Sequence, residues 1–477
     1  MGIGRTTLTA TLAFSLVACG GGGSSPPGGG ATPTPTPTPT PTACSVRDRQ
    51  DWSFAVIDEW YLFPTLLNRN ANPASFATVQ DYIDALVAPA RDQGRDRFFT
   101  FITSKSEEEA LINSGASAGF GVRLGYDTVN NRVFVIEAFE NAPGLAAGLD
   151  RGTELLAIGT SSSNLQSVSS LMAAGGPQAV IDALGPSESG VTRVIQFRTA
   201  AGATLERSIA KTNFSLDPVS DRYGVRIIDD AGKKVGYLNL RTFIVDSADA
   251  DLRAAFQQFK DQGVTELIID FRYNGGGLVR IADLMGDLMN AGRIGQVWSK
   301  TIVRDSKAAQ FNETTNIAAQ PQSITPTRVA FIGRGGTASA SELVINSMLP
   351  YLGNNVALVG TNTFGKPVGQ FGFDRDECDD RLRAVTFKTV NADDAGDYFG
   401  GLADVVPNTC RANDDIFTQL GEPTEASIAT ALDFLAGRSC TAIAAEGVRT
   451  TQAAGAERLL LQPRRPNAAQ YQVPGLF

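Results

Sequence analysis

The run Leu267-Ile268-Ile269-Asp270-Phe271 is apolar nearly throughout and ends in Arg272-Tyr273-Asn274-Gly275-Gly276-Gly277. A strand without alternation is covered on both faces, so this stretch predicts the middle of a sheet layered between helices. The pattern repeats along the chain. Lys234 to Leu240 reads as a strand, with Phe243 after it, and Ala248 to Phe259 as an amphipathic helix. Leu278 to Met289 and Glu425 to Leu435 read as helices. Arg328 to Gly333, Val356 to Val359 and Ala384 to Lys388 read as strands. Strand and helix in alternation argue for an α/β fold with ligands at the C-terminal ends of the strands.

The strand ending at Gly333 feeds Gly335-Gly336-Thr337-Ala338-Ser339-Ala340-Ser341-Glu342, and an apolar helix follows from Leu343 to Leu349. Free backbone N–H groups and the helix dipole at such a turn favour an anion. That suits a serine nucleophile whose transition state carries an oxyanion. The chain has no histidine, so a Ser-His-Asp arrangement is excluded. A lysine does the same work if burial leaves it a neutral amine. Thr363-Phe364-Gly365-Lys366-Pro367-Val368-Gly369-Gln370 supplies one. Taken alone, Lys366 reads as a surface lysine.

Both glycine-rich turns follow strands and open helices. If those strands are neighbours, the N–H groups of Gly276 and Ala340 converge on one oxygen. The competing reading of Gly275-Gly276-Gly277 is a phosphate cradle. No Gly-Lys-Ser/Thr follows, which argues against a P-loop. Asp270 and Arg272 read as an ion pair fixing the loop, with Asn274 on the same strand end.

The serine and lysine motifs resemble those of the carboxyl-terminal processing, or tail-specific, serine proteases of the Ser/Lys type, the S41 peptidases. The resemblance implies Ser339 as nucleophile, Lys366 as general base, Gln370 orienting the lysine, and Gly276 with Ala340 as oxyanion hole. It places an acid at Glu342 in some members. Thr337 and Pro367 depart from the family's serine and glycine, and the stretch from Ser339 to Lys366 is slightly long. Ser341 therefore stays open as the alternative nucleophile. The implied fold is a mixed sheet-and-helix, ClpP/crotonase-like protease core with an inserted PDZ-like domain and a small helical N-terminal region.

Residues 1–18 read as a lipoprotein signal peptide: Arg5, an apolar run from Leu8 to Val17, then Leu16-Val17-Ala18-Cys19-Gly20. Cys19 is the expected lipidation site. Residues 19–43 are Gly/Ser-rich and then a Thr-Pro repeat, a semi-stiff spacer. Residues 44–105 read as helical: Trp52, Val56, Trp60 and Tyr61 recur at helical spacing, and a second helix carries Val79, Ile83, Leu86 and Val87. Residues 106–211 resemble a PDZ domain, with Gly119-Phe120-Gly121-Val122 as the peptide-carboxylate loop and Ala142 to Leu149 as its helix-bearing segment. Arg123 reads as a solvated strand charge. The protease core spans 212–442. The remaining tail, 443–477, shows little core pattern and reads as loosely ordered.

Four cysteines besides Cys19, namely Cys44, Cys378, Cys410 and Cys440, fit disulfides in an exported protein. Cys378 with Cys410 is one plausible pair. No metal site and no cofactor are expected. The formal net charge is −9 with no basic stripe, which argues against nucleic acid. These readings together describe an exported endopeptidase, lipid-anchored in the bacterial cell envelope and facing the periplasm from the outer membrane. Its partners would be polypeptides with free C-termini. The alternative is a catalytically inactive peptide-binding or scaffolding lipoprotein of the same fold.

Overall fold

A computed structural model describes residues 44–444 and 458–477. The signal segment, Cys19 and the 19–43 linker lie outside the described residues. The core sheet has six strands in the order Val225–Asp230, Lys233–Asn239, Glu266–Asp270, Arg328–Gly333, Val356–Gly360, Asn408–Arg411. All neighbours are parallel except the antiparallel first pair. Glu266–Asp270 and Arg328–Gly333 are adjacent, so the two glycine-rich turns leave the same sheet end side by side.

Helices cover both faces, as the unbroken apolar strands require. Helix Ala248–Asp261 buries Leu252, Ala255, Phe256 and Phe259. Helices Val279–Leu288 and Ala340–Leu352 pack on the same face with Met285, Val344 and Met348. Helix Ala426–Leu435 covers the other face, setting Ile428, Ala431 and Leu435 against Ile268, Ala330 and Val359.

A second sheet is built around the hairpin Val368–Arg375 and Asp380–Val390, flanked by Phe101–Ser104 and Val297–Val303. Helices Val46–Trp60 and Val79–Leu86 pack on it through Ile57, Ile83 and Leu86. This sheet carries Lys366 at the entry to its hairpin. Between strands Phe101–Ser104 and Val225–Asp230 in sequence lies a further sheet of Val122–Asp127, Arg132–Ala138, Glu154–Gly159, Gln166–Ser167, Thr192–Arg198 and Thr204–Ala210, with helix Val168–Leu184. Its core holds Phe120, Leu124, Val135, Ile195 and Phe197. Strands Ala116–Gly119 and Thr212–Ser215 pair where the chain enters and leaves it.

Two expectations change. The disulfides are Cys44–Cys378 and Cys410–Cys440, not Cys378–Cys410. Cys410 lies on the last strand of the core sheet, whereas Cys378 lies in the turn of the other sheet's hairpin. The end of the chain is also not loose over 458–477. Leu459–Leu460 joins the inserted sheet beside Gly125 and Tyr126, and Leu461, Val473, Leu476 and Phe477 are buried. This segment has no period of its own because it borrows an existing strand edge.

Candidate active site

Ser339 stands between strand Arg328–Gly333 and helix Ala340–Leu352 with φ at +56°. A left-handed backbone at a non-glycine residue costs roughly 1–3 kcal/mol and persists only when its surroundings over-determine it. Here they do. Thr337 Oγ1 accepts from Arg334 N at 3.0 Å and donates to Phe271 O at 2.8 Å. A hydroxyl is what this position uses, so threonine serves where the family pattern has serine. Ala338 N and Ser341 Oγ both donate to Asn274 O, each at 3.1 Å. Ser341 is fully buried and its hydroxyl ties one turn to the other, while Ser339 is partly exposed.

Glu342 joins the serine turn to the lysine loop. Its carboxylate is 0% exposed. One oxygen accepts from Ser339 N at 3.0 Å and Lys366 N at 2.7 Å. The other accepts from Thr363 Oγ1 at 2.6 Å and Gly365 N at 2.7 Å. The amides of the two candidate catalytic residues thus meet at a single oxygen atom. Burial pushes the Glu342 carboxyl up from its ordinary range, and these four donors pull against it.

Gly365 has φ +83°, and a Cβ there would come within 2.4 Å of Phe399 O. Only glycine fits, which explains the Gly-Lys pair. Lys366 Nζ donates to Gln370 Oε1 at 2.9 Å and lies 5.0 Å from the centre of the Phe99 ring. Gln370 Nε2 in turn donates to Phe99 O. Burial pulls the Lys366 ammonium down to about 8, against the opposing fields of Asp96 and Glu342. Asp96 carried no sequence signal. Buried, it accepts from Tyr61 Oη, Phe99 N, Thr100 N and Thr100 Oγ1, and so fixes the Phe99 corner beside the lysine. Pro367 immediately precedes its hairpin strand, and its carbonyl accepts from Thr389 N at 3.0 Å.

The other glycine turn lies against the serine. A Cβ on Gly276 would sit 2.7 Å from Ser339 Cβ and 2.9 Å from Ala340 N. The Gly276 N–H donates to Asn274 Oδ1 at 2.9 Å. In this conformation it therefore does not join the Ala340 N–H in a shared open hole. Likewise, no hydrogen bond joins Ser339 Oγ to Lys366 Nζ among the described residues.

Asp270 and Arg272 are fully buried together, and Arg272 also forms a forked pair with Glu425 at 2.8 Å. This clamps the loop base. Arg123 is not a solvated charge. It is 0% exposed, donates to Tyr273 O at 2.6 Å and faces Glu137. It therefore ties the inserted sheet to the Asp-x-Arg-x-Asn turn. In the 119–122 loop, Phe120 enters the inserted core, Gly121 has φ +67°, and Val122 N donates to Phe477 O at 3.2 Å. Gly119 lies close enough to Phe477 that a Cβ would meet its carbonyl carbon at 2.7 Å.

A cavity of about 760 Å³ opens beside these groups, lined by Lys366, Ala338, Gly275, Phe99 and Phe364 on one side and by residues from 458 to 474 on the other. A half-buried amine with a lowered pKa, a strained serine at a helix start and glycine turns over a cavity are the parts an acyl-transfer site needs.

Residues 234–399 match Peptidase family S41. The chain is 26% identical over 271 residues to a carboxyl-terminal-processing protease of Picosynechococcus, covering 55% of this chain and 58% of that protein. It is 26% identical over 322 residues to the chloroplastic carboxyl-terminal-processing peptidase 3 of Arabidopsis thaliana, covering 67% and 57%. It is 25% identical over 334 residues to a carboxyl-terminal-processing protease of Synechocystis, covering 69% and 70%. The matches thus span under two thirds of the length of the first two relatives. A crystal structure of a candidate S41 protease from Bacteroides fragilis superposes with a TM-score of 0.62 at 23% identity, over 81% of this chain and 97% of that one. The fold is mixed α/β and similar to that of S41 peptidases.

Proposed function

We propose that the chain is a serine endopeptidase in which Ser339 attacks the peptide carbonyl and Lys366 is the general base. The observation that carries this reading is the Glu342 carboxylate, which binds the amides of Ser339 and Lys366 through one oxygen. Lys366 Nζ, held by Gln370 and titrating at about 8, would take the Ser339 proton and return it to the leaving amine. Water would then release the acyl group by the same route. The developing oxyanion would be met by the Ala340 N–H, and by Gly276 once its amide turns from Asn274. The inserted sheet is read as a PDZ-like domain that captures a substrate C-terminus as an added strand along Val122–Asp127. The lipobox at Leu16 to Gly20 supports export and a lipid anchor on Cys19, with the cell envelope as the site of action.

Fluorophosphonate labelling and casein turnover test the chemistry. The wild type is expected to label and cleave, and Ser339→Ala and Lys366→Ala to do neither, with kcat lower by on the order of 10⁴-fold or more. Loss in Ser341→Ala with activity retained in Ser339→Ala would reverse the assignment. One observation favours the second reading, an inactive peptide-binding protein: Gly276 N–H and Lys366 Nζ both have partners other than the serine site. A wild type inert to both assays decides for it.

A further inference from the structure

Residues 458–477 cover one edge of strand Val122–Asp127 in two passes. Leu459 and Leu460 pair with Tyr126 and Gly125, and Leu461 N donates to Leu124 O at 2.9 Å. The chain then turns through helix Ala468–Gln472 and returns along the same edge. Leu124 N donates to Gly475 O at 2.8 Å, Phe477 N to Val122 O at 2.9 Å, and Val122 N to Phe477 O at 3.2 Å. Phe477 is 2% exposed, in the apolar cluster that includes Phe120, Leu124, Ile181 and Leu184. Gln462 and Gln470 staple the passes together. Gln470 Nε2 donates to Leu476 O at 2.9 Å, and Gln462 Oε1 accepts from Gly475 N at 3.1 Å.

The same segment also lies on both glycine turns. A Cβ on Gly275 would meet Pro474 Cδ at 3.1 Å, and one on Gly336 would meet Leu460 Cδ1 at 2.9 Å. Leu460, Tyr471 and Pro474 line the cavity into which Lys366 opens. One segment therefore fills the strand edge where an incoming peptide would pair and roofs the space where its scissile bond would lie.

We propose that residues 458–477 are a tethered competitor: this chain's own strand occupies the peptide groove and covers the catalytic cavity until an extended polypeptide with a large apolar end residue displaces it. This rests on the peptide-capture role proposed for the groove. In the groove itself its last residues hold by strand addition plus the buried Phe477 side chain, the same kind of contact a substrate end makes. The exchange therefore swaps like for like.

The test measures binding, in the Ser339→Ala background, so it reads the groove whether or not the protein cleaves. The probe is a fluorescent peptide of the sequence Tyr-Gln-Val-Pro-Gly-Leu-Phe with a free carboxylate, followed by anisotropy. A tethered strand at an effective concentration of ~1 mM, against an intrinsic Kd of ~0.1 mM, weakens the apparent affinity about tenfold. A variant ending at Pro474 is expected to bind the peptide about tenfold more tightly than the full chain. Equal affinities, or no binding by a truncated protein with unchanged Tm, would overturn the proposal. If truncation prevents folding, hydrogen exchange on the full chain decides. Saturating peptide is expected to raise deuterium uptake at 458–477, and unchanged protection there would overturn it.

Discussion

Gly276 and Gly336 stand in the two glycine turns beside the same cavity, yet what presses on each differs. Against Gly276 stand Ser339 Cβ and Ala340 N, parts of a strained backbone knotted by Thr337, Asn274 and Glu342. Against Gly336 stands the far end of Leu460, one side chain from the 458–477 segment. The first contact is between the glycine backbone and the serine turn itself, both inside the core. The second is with a strand held at a sheet edge. The proposed chemistry sits in the core, and the proposed control of access in the segment that pairs like a ligand.

The widest gap is expected at Gly276. Its φ of +103° and its 2.7 Å approach to Ser339 leave no room for a methyl group. Gly276→Ala is expected to lower kcat by on the order of 10³-fold, the scale of a lost oxyanion donor, with KM little changed. Steady-state turnover of a peptide substrate measures both. Activity within threefold of wild type would mean that the turn is looser than its contacts imply.

Next comes Glu342. Replacing it with alanine strands four neutral donors in a dry site, and a buried donor left unpaired costs roughly 1–3 kcal/mol. Glu342→Gln keeps the shape but puts an amide donor where only acceptors fit, since all its partners donate. Both variants are expected to melt earlier in calorimetry, alanine by more. A Tm unchanged in both would show that the serine turn and the lysine loop are held together elsewhere.

The third expectation concerns proton load. Burial lowers the Lys366 pKa to about 8, and the reacting form is the neutral amine. kcat/KM is therefore expected to rise about tenfold per pH unit below 8 and to level off above it. Gln370→Glu sets an anion against Nζ and favours the ammonium, so the rising limb should move to higher pH. A profile flat from pH 6 to 9 would remove Lys366 from the role of base.

Much of this was legible in the residues because the features are local. The unbroken strand Leu267–Phe271, the helix after Ser339 and the Gly365-Lys366 pair each declare themselves through apolar runs and glycine positions. The resemblance to S41 motifs supplied the roles proposed for the site residues. What stayed hidden depends on distant partners. Arg123 looks like any strand charge until Tyr273 and Glu137 close over it. Asp96 acquires meaning only from Tyr61 and the Phe99 corner. Cys378 and Cys410 share a sequence neighbourhood but sit on different sheets. Residues 458–477 lack periodicity because the strand edge they complete belongs to residues more than three hundred positions earlier.

Gly336→Ala is the smallest and most discriminating change. Gly336 has no positive φ, so alanine there carries no backbone strain. The added methyl would meet Leu460 Cδ1 at 2.9 Å, while the nearest atom of the other glycine turn, Tyr273 Cα, stands off at 3.7 Å. The flexible end of Leu460 yields before the turn does. Stability is expected to fall by only about 1 kcal/mol, and labelling of Ser339 is expected to persist. Deuterium uptake at 458–461 should rise while uptake at 334–342 does not. The reverse pattern, protection lost at the serine turn and kept along Leu459–Leu461, would mean that the roof is part of the core and that the two glycines do not differ in kind.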